Sequence, residues 1–232
     1  MLEATILAQQ DAPPVRFLIL ISGRGSNMQA LVQAIAARSL PAQVCVVLSN
    51  RADAAGLDWA RDQGIPTDVL SHRAFDSREA FDEALAQRIE DWAPDYILLA
   101  GFMRVLGPDL VRRFDGRIIN IHPSLLPAFP GLHTHAQALA QGVQWHGCTV
   151  HFVTPVLDHG PIIAQGAIPV LHGDTADALA QRLLPLEHYV YAQALAWLAG
   201  RQVVIGDDGV VRVSGVDRRA FSLDDLNHNG YP

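Results

Sequence analysis

Asn120 and His122 stand two residues apart at the carboxyl end of the apolar run RIINI, and the following HPSLLPAFPG carries Pro123, Pro127 and Pro130. On an extended segment residues i and i+2 point the same way, so an amide donor and a titratable imidazole would share one site. That pair suits stabilisation and protonation of a developing oxyanion. A polar pair that merely caps a strand end fits this stretch as well. In VTPVLDHGPI, Asp158 lies on a turn between two strand-like runs. A turn aspartate is ordinarily a turn former. If the turn folds towards His122, its carboxylate would orient the imidazole and hold it protonated. In SGRGSN (residues 22–27), Gly23 and Gly25 free backbone N–H groups just ahead of a helix. This suits a single phosphate held at a helix N-terminus. Met28 occupies the third glycine position of the dinucleotide fingerprint, and no Gly-Lys-Ser/Thr follows to make a P-loop. A tight turn using glycine for geometry alone is the plainer alternative.

These residues need a frame that brings them together. VRFLILI (15–21), the run at 44–49, YILLA (96–100) and RIINI (117–121) read as buried strands. Between them lie helical patterns. Met28, Leu31, Val32 and Ile35 form one face of a helix that Ser26 or Asn27 would cap. A second helix is expected over about 53–63, ended by Gly64 and Pro66. DSREAFDEALAQRIEDW opens on an Asp76-x-x-Glu79 capping box, and GPDLVRRF places Asp109 in its first turn and arginines in its last. The alternation predicts an α/β, Rossmann-like single domain with a mainly parallel sheet and helices on both faces. GCTVHFVT and PIIAQGAIPV would add an antiparallel strand pair on the C-terminal side. A helix over about 175–199 follows, with a kink expected at Pro185, and VVIGDDGVVRV reads as a hairpin. The division is then an N-terminal extension (1–14), the catalytic domain (15–200) and a C-terminal tail (201–232).

Composition narrows the class. Half the residues are hydrophobic, yet no apolar run approaches the roughly 20 residues that span a bilayer. MLEATILAQQDAPPV lacks a basic n-region and does not read as a signal peptide. Cys45 and Cys148 sit in apolar runs without CxxC spacing, which predicts buried thiols and fits a cytoplasmic protein. A net charge of −7 without a Lys/Arg cluster argues against a nucleic-acid surface. His133, His135, His146, His151 and His172 lack ligand-like spacing with carboxylates or cysteines, so no metal is expected. His133 and His135 more naturally open the helix of THAQALAQG.

Taken in order, LISGRGSNMQAL, LSNRADAAGL, AFDSREAFD, LAGFMRVL, RIINIHPSLLPAFPGLHTHAQAL, HGCTVHFVTPVLDHGPII and EHYVY resemble the glycinamide ribonucleotide formyltransferase family of purine biosynthesis over about residues 15–200. The resemblance implies transfer of a formyl group from 10-formyltetrahydrofolate to the glycine amine of glycinamide ribonucleotide. It implies no metal, nucleic-acid or membrane partner, and a monomer or homodimer. It assigns catalysis to Asn120, His122 and Asp158, and the ribonucleotide to Gly25, Ser26, Asn27 and Glu187. It assigns the folate to Arg78, to Met103, Arg104, Val105 and Leu106, to Asn120, and to Thr154, Pro155, Val156, Leu157 and Asp158. Formyltetrahydrofolate deformylase and methionyl-tRNA formyltransferase share the Asn-x-His…Asp set. The former usually lacks the SGxGSN loop, and the latter usually carries a C-terminal RNA-binding domain. A non-catalytic phosphate- or nucleotide-binding module is the reading from another class, and the complete Asn120, His122 and Asp158 set argues against it. One departure stands out: the family's Asp-Gly-Gly-Pro is DHGP here, with His159 beside Asp158.

Overall fold

The computed structural model describes residues 12–228, so most of the N-terminal extension and the last four residues of the tail lie outside it. The strands are β1 (Val15–Ile21), β2 (Ala42–Ser49), β3 (Thr67–Val69), β4 (Tyr96–Leu99), β5 (Ile118–His122), β6 (Trp145–Phe152), β7 (Ile162–Pro169), β8 (Val203–Ile205), β9 (Val211–Val213) and β10 (Ala220–Phe221). The helices are α1 (Ser26–Ala37), α2 (Ala55–Asp62), α3 (Arg78–Trp92), α4 (Pro108–Arg113), α5 (Thr134–Ala140), α6 (Ala176–Ala199) and α7 (Leu223–His228). One eight-stranded sheet has the order β10-β7-β6-β5-β4-β1-β2-β3, and β8 pairs with β9 apart from it. β3, β2, β1, β4 and β5 run parallel. β6 is antiparallel to both β5 and β7. The expected antiparallel pair and the hairpin around GDDG are both present.

Period-two alternation explains why β1 is apolar from Phe17 to Ile21, with Arg16 near its start the one polar residue. Phe17, Ile19 and Ile21 enter a core with Met28 and Leu31 of α1, Leu57 of α2 and Leu195 of α6. Leu18 and Leu20 enter a second core with Phe81, Leu85 and Ile89 of α3 and Leu110 of α4. A parallel strand covered on both faces must be hydrophobic at every position. The same rule aims the site residues. Ile119 and Ile121 belong to the first core and Ile118 to the second, so Asn120 and His122 project over the α3 face. The hydroxyl of Tyr191, fully buried on α6, lies 3.2 Å from the carbonyl oxygens of both Leu99 and Ile119 and ties the helix to the strands beside Asn120.

Two caps differ from expectation. Ser77, rather than Asp76, caps α3: its backbone is extended and its hydroxyl accepts the Ala80 N–H at 3.0 Å. The helix begins at Arg78, which places Asp76 one residue too far out to reach the first turn. For α1, neither Ser26 nor Asn27 is the cap. Gly25 is, in the left-handed region (φ 70, ψ 40), and no side chain bonds the first turn. The N–H groups opening α1 are therefore left for another acceptor. The strand end also moves: β5 extends through His122, so both polar residues sit within regular strand.

Candidate active site

The carboxyl ends of β1, β4 and β5 lie side by side, and each feeds a loop rather than more sheet. Ligands of open α/β sheets bind outside such ends. Next to β5 lies a cavity of about 270 Å³ lined by Asn120, His122, His151 and Asp158, and by the segments 102–106 and 153–155 with Leu157. Met103, Arg104, Val105, Leu106, Thr154, Pro155 and Leu157 thus share one cavity with the polar set. Val156 is exposed and outside the lining. Arg78 is outside it too, in a neighbouring cleft with Asp82 and Gly107.

The hydrogen bonds define the chemistry. His122 Nε2 lies 2.9 Å from the Phe129 carbonyl, which can only accept, so Nε2 carries a proton. The other ring nitrogen, Nδ1, lies 3.5 Å from Asp158 Oδ2. The same carboxylate oxygen accepts the Gly131 N–H at 2.8 Å, so Asp158 braces the proline-rich loop as well as the imidazole. That loop is held from below by side chains. Thr149 donates to the Ser124 carbonyl, Gln165 to the Leu126 carbonyl and Thr134 to the Pro123 carbonyl. These anchors hold the segment that carries Pro123 and Pro127 against β6, β7 and α5.

His151 is the site residue the sequence reading assigned to no role. It faces Asn120 directly across the β5–β6 ladder. Its Nδ1 lies 2.9 Å from the Phe152 carbonyl, which can only accept, so Nδ1 carries a proton; burial pushes the pKa of the ring down, against Asp158 beside Nε2, and in the neutral ring Nε2 is an acceptor. The Asn120 group facing it at 3.4 Å must then be the amide nitrogen. One N–H of Asn120 is committed to His151 and the other bonds no other described residue.

At the end of β1, Gly25, Ser26 and Asn27 open α1. Asn27 Nδ2 donates to Glu187 Oε2 at 3.3 Å, while Asn27 Oδ1 is buried without a partner among the described residues. Glu187 is 9% exposed, and burial pushes its pKa from 4.5 to about 7, opposed by the Asn27 hydrogen bond. Between those values the folded chain holds a proton that the unfolded chain releases, so stability falls as the pH rises from 4.5 to about 7. Glu187→Gln is therefore expected to gain stability relative to the parent between about pH 5 and about pH 8, by roughly 3 kcal/mol. Denaturant unfolding at the two pH values checks this; an equal difference at both would refute a raised carboxyl.

His159 is exposed, donates from Nδ1 to the Leu157 carbonyl at 2.7 Å, and lines a separate open cleft against the C-terminal tail. Of the two residues after Asp158, only Gly160 is sterically required, because a Cβ there would lie 1.6 Å from the Phe152 carbonyl oxygen. His159→Gly is expected to leave turnover within about twofold and the pH–rate profile unmoved, as for other surface changes. A displaced profile would give His159 a part in the reaction.

Asn120, His122 and Asp158 thus meet at the carboxyl end of an open α/β sheet, with the glycine-rich opening of α1 two strands away at the end of β1. The Formyl transferase family model matches residues 15–195, and the chain belongs to that family. It is 49% identical to the phosphoribosylglycinamide formyltransferase of Escherichia coli K12 over 185 residues, 80% of this chain and 87% of that one. It is 45% identical over 194 residues to the trifunctional purine biosynthetic protein adenosine-3 of Bos taurus, covering 84% of this chain but 19% of that larger protein. Among solved structures, glycinamide ribonucleotide transformylase 1 from Symbiobacterium toebii superposes with a TM-score of 0.83 at 46% identity, over 88% of this chain and 95% of that one.

Proposed function

We propose that this protein transfers the formyl group of 10-formyltetrahydrofolate to the amine of glycinamide ribonucleotide, a step of de novo purine biosynthesis. The observation that carries the reading is the convergence of Asn120, His122 and Asp158 on one cavity whose neighbouring strands lead to the anion cradle. The cradle residues Gly25, Ser26 and Asn27 hold the ribonucleotide phosphate, with Glu187 beside them for its hydroxyl groups. The folate head group occupies the cavity between residues 103–106 and 154–158, and Arg78 lies in the adjoining cleft for the acidic tail.

The substrate amine attacks the formyl carbon, and the carbonyl oxygen becomes an oxyanion. The free N–H of Asn120 donates to that oxygen, and the His122 imidazolium adds positive charge beside it. Collapse of the tetrahedral species breaks the bond to folate N10. The proton lost by the amine is delivered to N10, with Nδ1 of His122 as the exchanging nitrogen and the Asp158 carboxylate beside it. The products are the formylated ribonucleotide and tetrahydrofolate.

The test is an absorbance assay of the folate product with and without glycinamide ribonucleotide. Product that forms only with the ribonucleotide is expected. Folate release without it would mean hydrolysis to formate, the deformylase reaction, and no release in either case would leave a binding module.

A further inference from the structure

Residues 102–106 form one wall of the cavity, and neither they nor Gly107, which follows them, belong to any helix or strand. This wall is also exposed: Met103 is 74% and Val105 56% accessible. Such a segment would be a poor wall unless something outside it set its position. It is pinned near both ends. The Met103 N–H donates to Ser22 Oγ at 2.9 Å, and that hydroxyl donates to Asn50 Oδ1 at 2.6 Å. At the other end the Gly107 N–H donates to Asp82 Oδ2 at 2.8 Å. Between the pins, the backbone groups of Arg104, Val105 and Leu106 bond to no other described residue and are free to meet a ligand.

Asp82 is the unusual member. It sits on the buried face of α3 among Phe81, Leu85 and Ala86, and is 8% exposed. A carboxylate in such a place needs partners. It has the Gly107 N–H and, more distantly, Arg78 Nε at 3.7 Å. The fit at Gly107 is close, since a Cβ there would lie 2.5 Å from Asp82 Oδ2. A second tie comes from the same helix: the Arg104 guanidinium lies over the Phe81 ring at 4.8 Å. Burial raises the Asp82 pKa and the Gly107 N–H opposes that, as expected for a carboxylate kept buried for its acceptor.

We infer that Asp82 is a positioning residue for the formyl donor: from α3 its carboxylate holds Gly107, and through it the 102–106 wall, at the spacing the folate head group needs. The inference rests on the transferase reading above and adds to it a residue that need not touch either substrate.

The test is steady-state kinetics on the full chain, with 10-formyltetrahydrofolate and glycinamide ribonucleotide varied separately. Asp82→Leu keeps the volume and removes the acceptor. It is expected to raise the KM for the formyl donor ~10-fold, the scale of one hydrogen bond to a charged group, with kcat and the ribonucleotide KM within about threefold. Asp82→Asn keeps an amide oxygen for the Gly107 N–H and is expected to restore the donor KM to within about threefold of the parent. If the leucine variant does not fold, Gly107→Ala carries the same expectation from the other side of the contact. A donor KM unmoved by Asp82→Leu and Gly107→Ala, equal rises in both KM values, or an asparagine variant as impaired as leucine would overturn the inference alone. An unmodified chain that makes no product would overturn the transferase reading, and the inference with it.

Discussion

Replacing Asn120 by alanine is expected to lower turnover by roughly 10²–10³-fold, the usual loss for one oxyanion donor, while the chain stays folded. Three observations set that expectation. Asn120 lies in regular strand with its side chain over the cavity, so removing the amide opens no core void. Its orientation is dictated by His151, whose only proton on Nδ1 goes to the Phe152 carbonyl, which forces the amide nitrogen rather than the oxygen towards Nε2. The remaining N–H needs no reorganisation when negative charge appears on the formyl oxygen, and preorganised donors are the ones that lower barriers. Asn120→Asp is the sharper variant. It keeps the shape but exchanges the donor for an acceptor, and should lose at least as much as alanine. Single-turnover rates beside a thermal melt would decide it, and near-normal turnover in either variant would remove Asn120 from the oxyanion role.

His122→Ala is expected to be as damaging, with turnover down roughly 10²–10⁴-fold, the range for loss of a positioned general acid. The ring is 5% exposed and held from two sides, by the Phe129 carbonyl at Nε2 and by Asp158 at Nδ1. Alanine removes the proton donor and leaves a buried carboxylate without its imidazole, although Asp158 keeps the Gly131 N–H. Some loosening of the loop around Gly131 should accompany the loss. The predicted signature is a large fall in kcat with substrate KM values changed far less, because the imidazole serves the transition state more than the bound substrates. A variant that lost affinity for both substrates and kept kcat would recast His122 as a binding residue.

How much of this was legible in the sequence follows from the range over which each signal acts. β1 was readable to the residue, because the stretch from Phe17 to Ile21 is buried on both faces and apolar at every position, and Ser22 breaks the run. The α3 cap was readable only to within one residue: Asp76 and Ser77 are both good caps in composition, and the backbone entering the helix chose the serine. For α1, sequence preference pointed to Ser26 or Asn27, yet the chain uses Gly25 and leaves the first-turn N–H groups open, where the proposed phosphate would supply the missing acceptor.

Asn120, His122, Asp158 and the SGRGSN loop could be singled out in sequence because their residue types are costly to place at strand ends without a purpose. Their i, i+2 spacing and the glycine pattern are local properties that the chain itself determines. His151 and Asp82 carry no such mark. His151 is one of several histidines in the chain, and only the antiparallel register of β6 on β5 sets it opposite Asn120. Asp82 looks like one more acid on an amphipathic helix until the helix packs and brings its carboxylate to the Gly107 N–H. Register and helix packing are long-range choices, settled by which faces the whole chain can bury together. The sequence alone determined which residues could do the chemistry. Tertiary structure decided which tautomer and which amide face they present, because those depend on acceptors and carbonyls contributed by distant strands and loops.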